Sequence, residues 1–370
     1  MSTNEPSLPG DPWRTPVAPN AQPRVRVALD AMGGDYAPEA PILGAVEALA
    51  DLPVDILLVG PEEDLRRQVQ PRHSRLSRTD GRLSFVHAPE VIEMDEHPMS
   101  AVRTKRLASI SVGVDLVAKG QADAFVTAGN TGAAMAAAVL RLKRLDGIDR
   151  PAMAIPFPTR RGVCLLLDIG ASADARAHNL VQFALMGVVY AEQVLGLRDP
   201  GVGLLSIGEE ETKGNLLVVE AHRRLKDAPL RFVGNVEGKD VPAGAADVVV
   251  TDGFVGNVLI KFAEGVSTSI VDIIRSELRS SLWTSVLAAG LRPAFGRVRR
   301  RMDYAEWGGA PLLGVNGVCI IAHGRSNPRA IRNAVRVAAE SVRHSVVDRI
   351  RQGLTAAGAR AAAGPDEDGS

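Results

Sequence analysis

Short apolar runs alternate with longer amphipathic segments along most of the chain. The apolar runs are typical of buried strands and include VRVALD, VDILLVG, RLSFVHA, DAFVTA, VCLLLDIG, VGLLSIG, RFVGN and DVVVTDG. Apolar residues at helical spacing between them predict helices near 38–51, 61–70, 100–119, 131–143, 179–195, 213–226 and 256–278. This alternation predicts an α/β fold, in which a largely parallel sheet is sandwiched by helices.

Composition changes at both ends of the chain. Residues 1–23 are rich in Pro, Ser and Asn, and the residues from 353 on are rich in Ala and Gly before an acidic end. We therefore predict a disordered N-terminal tail over 1–23, a single α/β domain over 24–352 and a disordered C-terminal tail over 353–370.

The overall composition is that of a folded, soluble protein, with 46% hydrophobic and 23% charged residues. Forty-three basic and 43 acidic residues give a formal net charge of zero, which argues against a nucleic-acid-binding protein. Cys164 and Cys319 each lie in an apolar run, which favours reduced, buried thiols. Reduced thiols predict a cytoplasmic protein. The chain contains no uninterrupted apolar run of about 18 residues, so we predict no membrane span.

Glycine and small polar residues follow many of the predicted strands. They are Asp30 with Gly33 and Gly34, Gly129-Asn130-Thr131-Gly132, Asp168 with Gly170, GEEETKGN from Gly208, Gly234-Asn235, and Asp252-Gly253 before Gly256-Asn257. In an open parallel sheet ligands bind at the carboxyl ends of the strands, and helix N-termini attract anions. Each loop alone is also an ordinary strand-to-helix turn, but together they predict an anion site at one rim of the sheet.

Several familiar site motifs are missing. The loops match neither GxGxxG nor GxxxxGK[ST], which argues against a dinucleotide-binding enzyme or an NTPase. The seven histidines form no HxH, HExxH or Cys/His cluster, and no GxSxG is found. The residues themselves therefore predict an anion-handling enzyme with no evident covalent nucleophile and no evident metal, and we predict no cofactor.

Seven segments of the chain resemble, in order and spacing, the motifs of the bacterial phosphate acyltransferases of phospholipid synthesis. They are ALDAMGGDYAP (28–38), TAGNTGA (127–133), LLLDIGASAD (165–174), GLLSIGEEETKGN (203–215), FVGNVEGKD (232–240), DVVVTDGFVGNVLIK (247–261) and GAPLLGVNGVCIIAHG (309–324). The resemblance covers about 25–350. It implies a Rossmann-like fold related to the phosphotransacetylase and isocitrate dehydrogenase class.

The resemblance also implies an activity and partners. Such an enzyme moves a fatty acyl group from acyl carrier protein to inorganic phosphate. The acyl phosphate then serves a membrane glycerol 3-phosphate acyltransferase. The implied enzyme is a homodimer without a metal cofactor. Because phosphate can itself attack the thioester, no covalent acyl-enzyme is required.

These motifs suggest roles for individual residues. Lys213 is the first candidate for a cation that orients phosphate or stabilises the oxyanion, and Asn130 and Asn257 are candidate oxyanion donors. The remaining candidates are Asp252 in the catalytic set and Asp30, Gly33, Gly34, Gly129, Thr131, Gly132, Asp168, Asn215 and His323 in phosphate or substrate binding. Ser172, Ser206 and Arg325 depart from the usual family residues, and we assign them no catalytic role.

Residues 279–303 form a second feature, within a helical excursion predicted over about 270–305. The segment reads as two amphipathic helices broken at Gly290 and Pro293, which makes it a protruding amphipathic element. Its apolar and basic residues are candidates for membrane or carrier contact, namely Trp283, Leu287, Phe295, Arg297, Arg299, Arg300 and Arg301. Dimer packing, an anionic membrane surface and carrier docking all remain open for this segment.

Two other functions remain open from the sequence. A phosphotransacetylase-like enzyme would share the fold and the attack by phosphate but use acyl coenzyme A. A noncatalytic scaffold at the membrane surface would need none of the strand-end motifs.

Overall fold

A computed structural model describes residues 23–69, 81–280, 290 and 308–363. The strands of the described chain are β1 Val25–Asp30, β2 Val54–Gly60, β3 Leu83–His87, β4 Ala124–Thr127, β5 Ala152–Thr159, β6 Gly162–Leu167, β7 Val202–Ser206, β8 Phe232–Glu237, β9 Val248–Val250, β10 Ala310–Leu313 and β11 Val318–Ile321. The helices are α1 Glu39–Asp51, α2 Glu62–Val69, α3 Pro98–Thr104, α4 Ser109–Ala118, α5 Thr131–Arg141, α6 Ala177–Gln193, α7 Leu216–Lys226, α8 Gly253–Leu278, α9 Pro328–Arg343 and α10 Val346–Ala363.

All the described strands join one sheet in the order β3-β2-β1-β4-β11-β10-β5-β6-β9-β7-β8. Strands β3, β2, β1, β4 and β11 are mutually parallel and form the first strand group. Strands β6, β9, β7 and β8 are also mutually parallel and form the second strand group. The predicted α/β fold with a largely parallel sheet is confirmed.

The two strand groups run in opposite directions. Between them β10 is antiparallel to both β11 and β5, and β5 is antiparallel to β6. Thr159 pairs with Gly162, so β5 and β6 form a tight hairpin that turns the chain back. The carboxyl ends of the two strand groups therefore point in opposite directions, so the strand ends do not form the single rim that the sequence predicted.

Helices cover the sheet because successive residues of each strand point to opposite faces. In β1, Val27 and Leu29 pack with α1 and α9, while Ala28 packs with α3, α4 and α5. In β6, Leu165 and Leu167 pack with α6, α7 and α10. The opposite face of β6 packs against Ile260 of α8.

Helix α8 protrudes from this fold. Gly253, Gly256 and Ile260 are its buried residues, so only its first turns pack against the sheet. By length and composition alone α8 is long and apolar enough to cross a membrane, although the sequence had predicted no such segment. The predicted amphipathic segment lies outside the described residues except for 279, 280 and 290.

The helix α10 corrects the predicted C-terminal boundary. It continues to Ala363, so the disordered tail predicted from 353 starts inside a helix. The helix extends this far because the segment is rich in alanine, which has the highest intrinsic helix propensity of any residue type. The N-terminal tail predicted over 1–23 lies outside the described residues apart from its last residue.

Candidate active site

Three loops of the first strand group meet at the carboxyl ends of their strands. A β carbon at Gly33, after β1, would stand 2.5 Å from the Gly129 amide nitrogen after β4. The Asp35 amide donates a 2.8 Å hydrogen bond to the Gly324 carbonyl after β11. The loops after β1 and β4 were predicted to lie together, and they do because these strands are parallel neighbours. The loop after β11, which the sequence analysis did not include, joins them.

Asp30 holds these loops together from inside the fold. Its carboxylate accepts hydrogen bonds from the Thr127 hydroxyl at 2.7 Å and the Met32 amide at 3.0 Å, and the Thr127 oxygen accepts from the Gly129 amide at 2.9 Å. Burial raises the pKa of the Asp30 carboxyl, and these hydrogen bonds offset part of that rise. With 1% exposure, Asp30 orders the loops rather than contacting a ligand.

The side chain of Asn130 also forms hydrogen bonds with nearby backbone groups. Its Oδ1 caps α5 by accepting from the Ala133 amide, and its Nδ2 donates to the carbonyls of Glu93, Met94 and Glu96 at 3.1–3.2 Å. Both amide hydrogens are thus directed at backbone oxygens. In this structure Asn130 positions the loop before α3, and an oxyanion-donor role has no support from its geometry.

Thr131 and Gly132 form the first turn of α5, where backbone N–H groups lack intrahelical acceptors. A β carbon at Gly132 would stand 2.5 Å from the Pro98 side chain, so α3 packs directly against this turn. Anion binding at the start of α5 stays a prediction from the sequence.

His323 lies in the loop after β11. Its Nδ1 accepts a hydrogen bond from the Arg325 amide at 3.1 Å, which places the ring proton on Nε2. Burial lowers the pKa of His323, the charges of Lys261 and Arg325 lower it further, and Glu264 and Asp35 act in the opposite direction. A neutral imidazole with a donor at Nε2 is the result at neutral pH.

Two charged residues of α8, Lys261 and Glu264, also act on His323. Lys261 Nζ lies 3.9 Å from the Glu264 carboxylate, and both charges act on His323 although α8 starts after β9 of the second strand group. The sequence analysis did not select Lys261, although it is the last residue of the motif DGFVGNVLIK. It is a cation at the first strand group that sequence reasoning missed.

Asp168 orders the loop that follows β6 in the second strand group. Its carboxylate accepts hydrogen bonds from four backbone amides, at 2.9 Å from Met153, 3.1 Å from Gly170, 3.0 Å from Ala171 and 2.6 Å from Ser172. Burial raises its pKa, against the lowering effect of these amides. Asp168, like Asp30, is a fully buried anchor for a glycine-containing loop.

The start of α8 lies against the Asp168 loop. Asp252 caps this helix by accepting from the amides of Phe254 and Val255, both at 3.0 Å. Asn257, one turn on, is exposed and approaches Gly170, where a β carbon would stand 3.8 Å from the Asn257 amide carbon. Within the described chain no side-chain hydrogen bond of Asn257 is found.

The loop between β7 and α7 carries Lys213, at the strand-helix junction predicted from the sequence. Asn215 caps α7 by accepting from the Val218 amide at 3.0 Å. Lys213 is exposed, and its ammonium group makes no ion pair within the part of the chain described here. Gly33, Gly34 and Gly129 thus belong to the first strand group with His323, whereas Asp168, Asp252, Asn257, Lys213 and Asn215 belong to the second strand group.

Sequence comparison places the chain in a family. Residues 25–349 match the family model described as "Fatty acid synthesis protein". A phosphate acyltransferase of Desulforamulus reducens is 50% identical over 330 residues, which are 89% of this chain and 97% of the relative. One from Heliobacterium modesticaldum is 51% identical over 329 residues, again 89% and 97% of the two chains.

Structural comparison identifies the fold class. The EutD phosphotransacetylase from Staphylococcus aureus matches with a TM-score of 0.58 and 16% identity over 86% of this chain and 94% of its own. A phosphotransacetylase from Streptococcus pyogenes matches with a TM-score of 0.57 at the same identity and coverage. At this identity the likeness concerns the fold alone, and it agrees with the fold relationship to phosphotransacetylases that the sequence motifs implied.

Proposed function

The chain belongs to the phosphate acyltransferase family and transfers an acyl group to phosphate, and from this premise we propose the donor and the mechanism. The donor is a fatty acyl thioester of acyl carrier protein. An oxygen of inorganic phosphate attacks the thioester carbonyl, a tetrahedral oxyanion forms, and the C–S bond breaks. The carrier thiolate leaves and takes up a proton, and acyl phosphate for phospholipid synthesis is released.

The observation that carries direct attack is the state of the two cysteines. Cys164 and Cys319 are 0% and 1% exposed, and burial raises the pKa of each thiol to about 12. A thiol needs its thiolate form and access to substrate to act as a nucleophile. Neither cysteine meets these requirements, which supports phosphate itself as the nucleophile.

Lys213 and Asn257 remain our candidates for groups that act on the reacting atoms. Both side chains are exposed on loops or helix starts of the second strand group, and their polar ends are not committed to described partners. Asp30, Asp168, Asp252, Asn130 and Asn215 are positioning residues in this proposal. Lys261 and His323 are additional candidates for phosphate contact, because α8 brings the charge of Lys261 from the second strand group to His323 of the first.

We also propose that two copies of the chain associate through α8. Phe254, Val258, Phe262, Val266, Ile270 and Ile274 recur at every fourth position and are all at least 39% exposed. Steps of four residues advance about 40° around a helix, so these residues form an apolar stripe that winds about half-way around α8. Burial against another surface stabilises such a stripe. A second copy presents the same stripe, which suits the self-complementary interface of a twofold dimer.

The segment 279–303 keeps the roles proposed from the sequence. Its arginines and its Trp283 and Phe295 suit an anionic membrane surface from which acyl phosphate passes to a membrane acyltransferase, and the arginines also suit an acidic carrier. In this proposal the protein works in the cytoplasm and contacts the membrane peripherally. A noncatalytic scaffold at that surface is the alternative of a different class.

The decisive experiment offers the purified protein two donors in the presence of a chelator. Long-chain acyl carrier protein and acyl coenzyme A are each combined with inorganic phosphate, and acyl phosphate is measured. We expect phosphate-dependent product from the carrier-bound donor, and a rate about 100-fold lower for Lys213→Ala if this cation stabilises the transition state. Faster turnover of acyl coenzyme A would favour the phosphotransacetylase-like alternative, and no product from either donor would favour the scaffold.

A further inference from the structure

Asn235 connects β8 to the loop that carries Lys213. It is only 6% exposed, and its Nδ2 donates a 2.8 Å hydrogen bond to the carbonyl of Glu210. The same carbonyl accepts from the Lys213 amide at 3.0 Å, so it lies at the base of the turn Glu210–Lys213. One buried side chain thus holds the turn from below.

The backbone of Lys213 is fixed on its other side as well. Its carbonyl accepts a 3.2 Å hydrogen bond from the Ser206 hydroxyl at the end of β7. Its side chain, in contrast, extends into solvent. The backbone is therefore held firmly while the ammonium group stays available, which is the arrangement expected of a group that binds a ligand.

His222 of α7 fixes the orientation of the Asn235 amide. Its Nδ1 lies 2.8 Å from Asn235 Oδ1, and its ring packs edge-on against Phe232 at 5.0 Å between centroids. With a proton on Nδ1, His222 donates to Oδ1 and selects the amide orientation in which Nδ2 faces Glu210. The opposite orientation would bring two oxygens, Oδ1 and the Glu210 carbonyl, together.

We propose that Asn235 and His222 are positioning residues that place the Lys213 ammonium for phosphate. Asn235 acts through the Glu210 carbonyl, and His222 acts through Asn235. Neither residue contacts the reacting atoms. This inference rests on the proposed role of Lys213. The sequence analysis grouped Asn235 with the strand-end residues but gave it no role, and it did not select His222.

The first test is steady-state kinetics with inorganic phosphate as the varied substrate. Loss of one hydrogen bond of this kind is expected to raise the KM for phosphate about tenfold in Asn235→Ala, with a smaller change in kcat. His222→Ala should raise it in the same direction, and His222→Asn, which keeps a donor near the Nδ1 position, should restore most of the loss. Asn179→Ala is the matched control, because Asn179 is a buried asparagine of α6 that bonds to Asp149 and Arg176 instead.

A double-mutant cycle separates positioning from a general loss of stability. If Asn235 acts through Lys213, Asn235→Ala raises the KM for phosphate in the parent protein but has no further effect in the Lys213→Ala background. Additive effects of the two substitutions would overturn the inference. If Lys213→Ala raises the KM for phosphate but Asn235→Ala does not, the positioning role of Asn235 is overturned and the role of Lys213 stands. If Lys213→Ala leaves the KM for phosphate unchanged, both roles are overturned.

Hydrogen exchange provides a readout that does not depend on activity. Amides of residues 207–215 should exchange several times faster in Asn235→Ala than in the parent protein, because the loop loses its tether to β8. The Asn179→Ala control should leave that segment unchanged. Unchanged exchange in Asn235→Ala, in a protein that remains folded, would contradict the tether.

Discussion

Gly256 of α8 lies directly against the backbone carbonyl of Asp168. A β carbon at position 256 would stand 1.9 Å from that oxygen, and one at Gly253 would stand 2.7 Å from the Asp168 carboxylate. Real side chains do not approach backbone oxygens so closely. The first turn of α8 can therefore cross the Asp168 loop only because both positions are glycine.

Gly256→Ala should separate α8 from this loop. We expect the free energy of unfolding to fall by about 1–3 kcal/mol, as for other overpacked sites, with a large loss of activity because Asn257 moves with the helix. Gly265→Ala is the control in the same helix, since a β carbon there meets nothing within 4 Å. It should be neutral or stabilising by about 0.5–1 kcal/mol. Urea denaturation and acyl phosphate formation measure both effects, and equal stability of the two variants would contradict the close contact.

Asn130→Ser tests whether Asn130 orders the loop before α3. Serine still caps α5, but the hydrogen bonds to the carbonyls of Glu93, Met94 and Glu96 are lost. We expect a loss of about 1–3 kcal/mol in the free energy of unfolding, because these partners are partly buried. Faster hydrogen exchange of residues 90–98 should accompany it.

Asn327→Ser provides the control for the cap itself. Asn327 caps α9 by accepting from the Ala330 amide at 2.9 Å, and this is its only side-chain hydrogen bond within the described residues. Serine preserves such a cap, so little change in stability is expected. If both variants lose the same stability, the loop contacts of Asn130 contribute nothing.

Asp30→Asn should change how stability depends on pH. The pKa of Asp30 is raised chiefly by burial, whereas an unfolded Asp titrates near 3.9. Between these two values the folded state binds more protons, so the parent protein loses stability as pH rises, by at most about 1.4 kcal/mol per pH unit. The variant lacks this group, so the stability of the parent relative to Asp30→Asn should decline as pH rises above about 4.

Asp123→Asn is the control of opposite sign. Burial acts to raise the pKa of Asp123, but hydrogen bonds and the charge of Arg26 outweigh it and lower the pKa. Its contribution is therefore complete above the unfolded pKa and is lost only as pH falls through the lower folded value. The difference between the parent and Asp123→Asn should be flat above about pH 5. A flat difference for Asp30→Asn as well would show that its carboxyl is not perturbed.

The sequence predicted the fold class and most elements because the two apolar periodicities are clear in this chain. It missed the reversal of direction in the middle of the sheet. Strand β5 contains Pro156 and Pro158, which count against a strand in any pattern analysis, and the β5–β6 hairpin was therefore not recognised. Without that hairpin all the strand ends appeared to share one rim.

The residue types of the candidate site were also easier to predict than their roles. Asn130, Asp252 and Asn215 were found because small polar residues follow strands, but the same residues are the preferred helix caps, and capping is their role in the structure. The tether from Asn235 to Glu210 joins residues 25 positions apart. Such a contact depends on how β8 packs beside β7, which local sequence does not specify.

The charges around His323 give a prediction with two opposite signs. Lys261 acts to lower the pKa of His323 and Glu264 acts to raise it, on top of the larger lowering by burial. Lys261→Gln should therefore raise the pKa of His323, and Glu264→Gln should lower it, as measured by NMR titration of the imidazole. Lys226→Gln is the control, because Lys226 pairs with Glu211 and is not among the charges that act on His323. Shifts of the same sign in the first two variants would contradict the placement of α8.

The exposed apolar stripe of α8 predicts the oligomeric state. Phe262 and Ile270 are 68% and 49% exposed in the single chain, and full burial of each side chain against a second copy contributes about 1.5–3 kcal/mol. Replacing both with Glu should therefore convert a dimer into monomers in sedimentation experiments. Thr268→Glu is the matched control, since at 100° per residue it lies on the other side of the helix from Val266 and Ile270. A parent protein that is monomeric, or a double variant that remains dimeric, would show that the stripe serves another partner. If the double variant remains dimeric, comparing how the parent and the double variant bind to anionic vesicles would decide whether the stripe contacts the membrane.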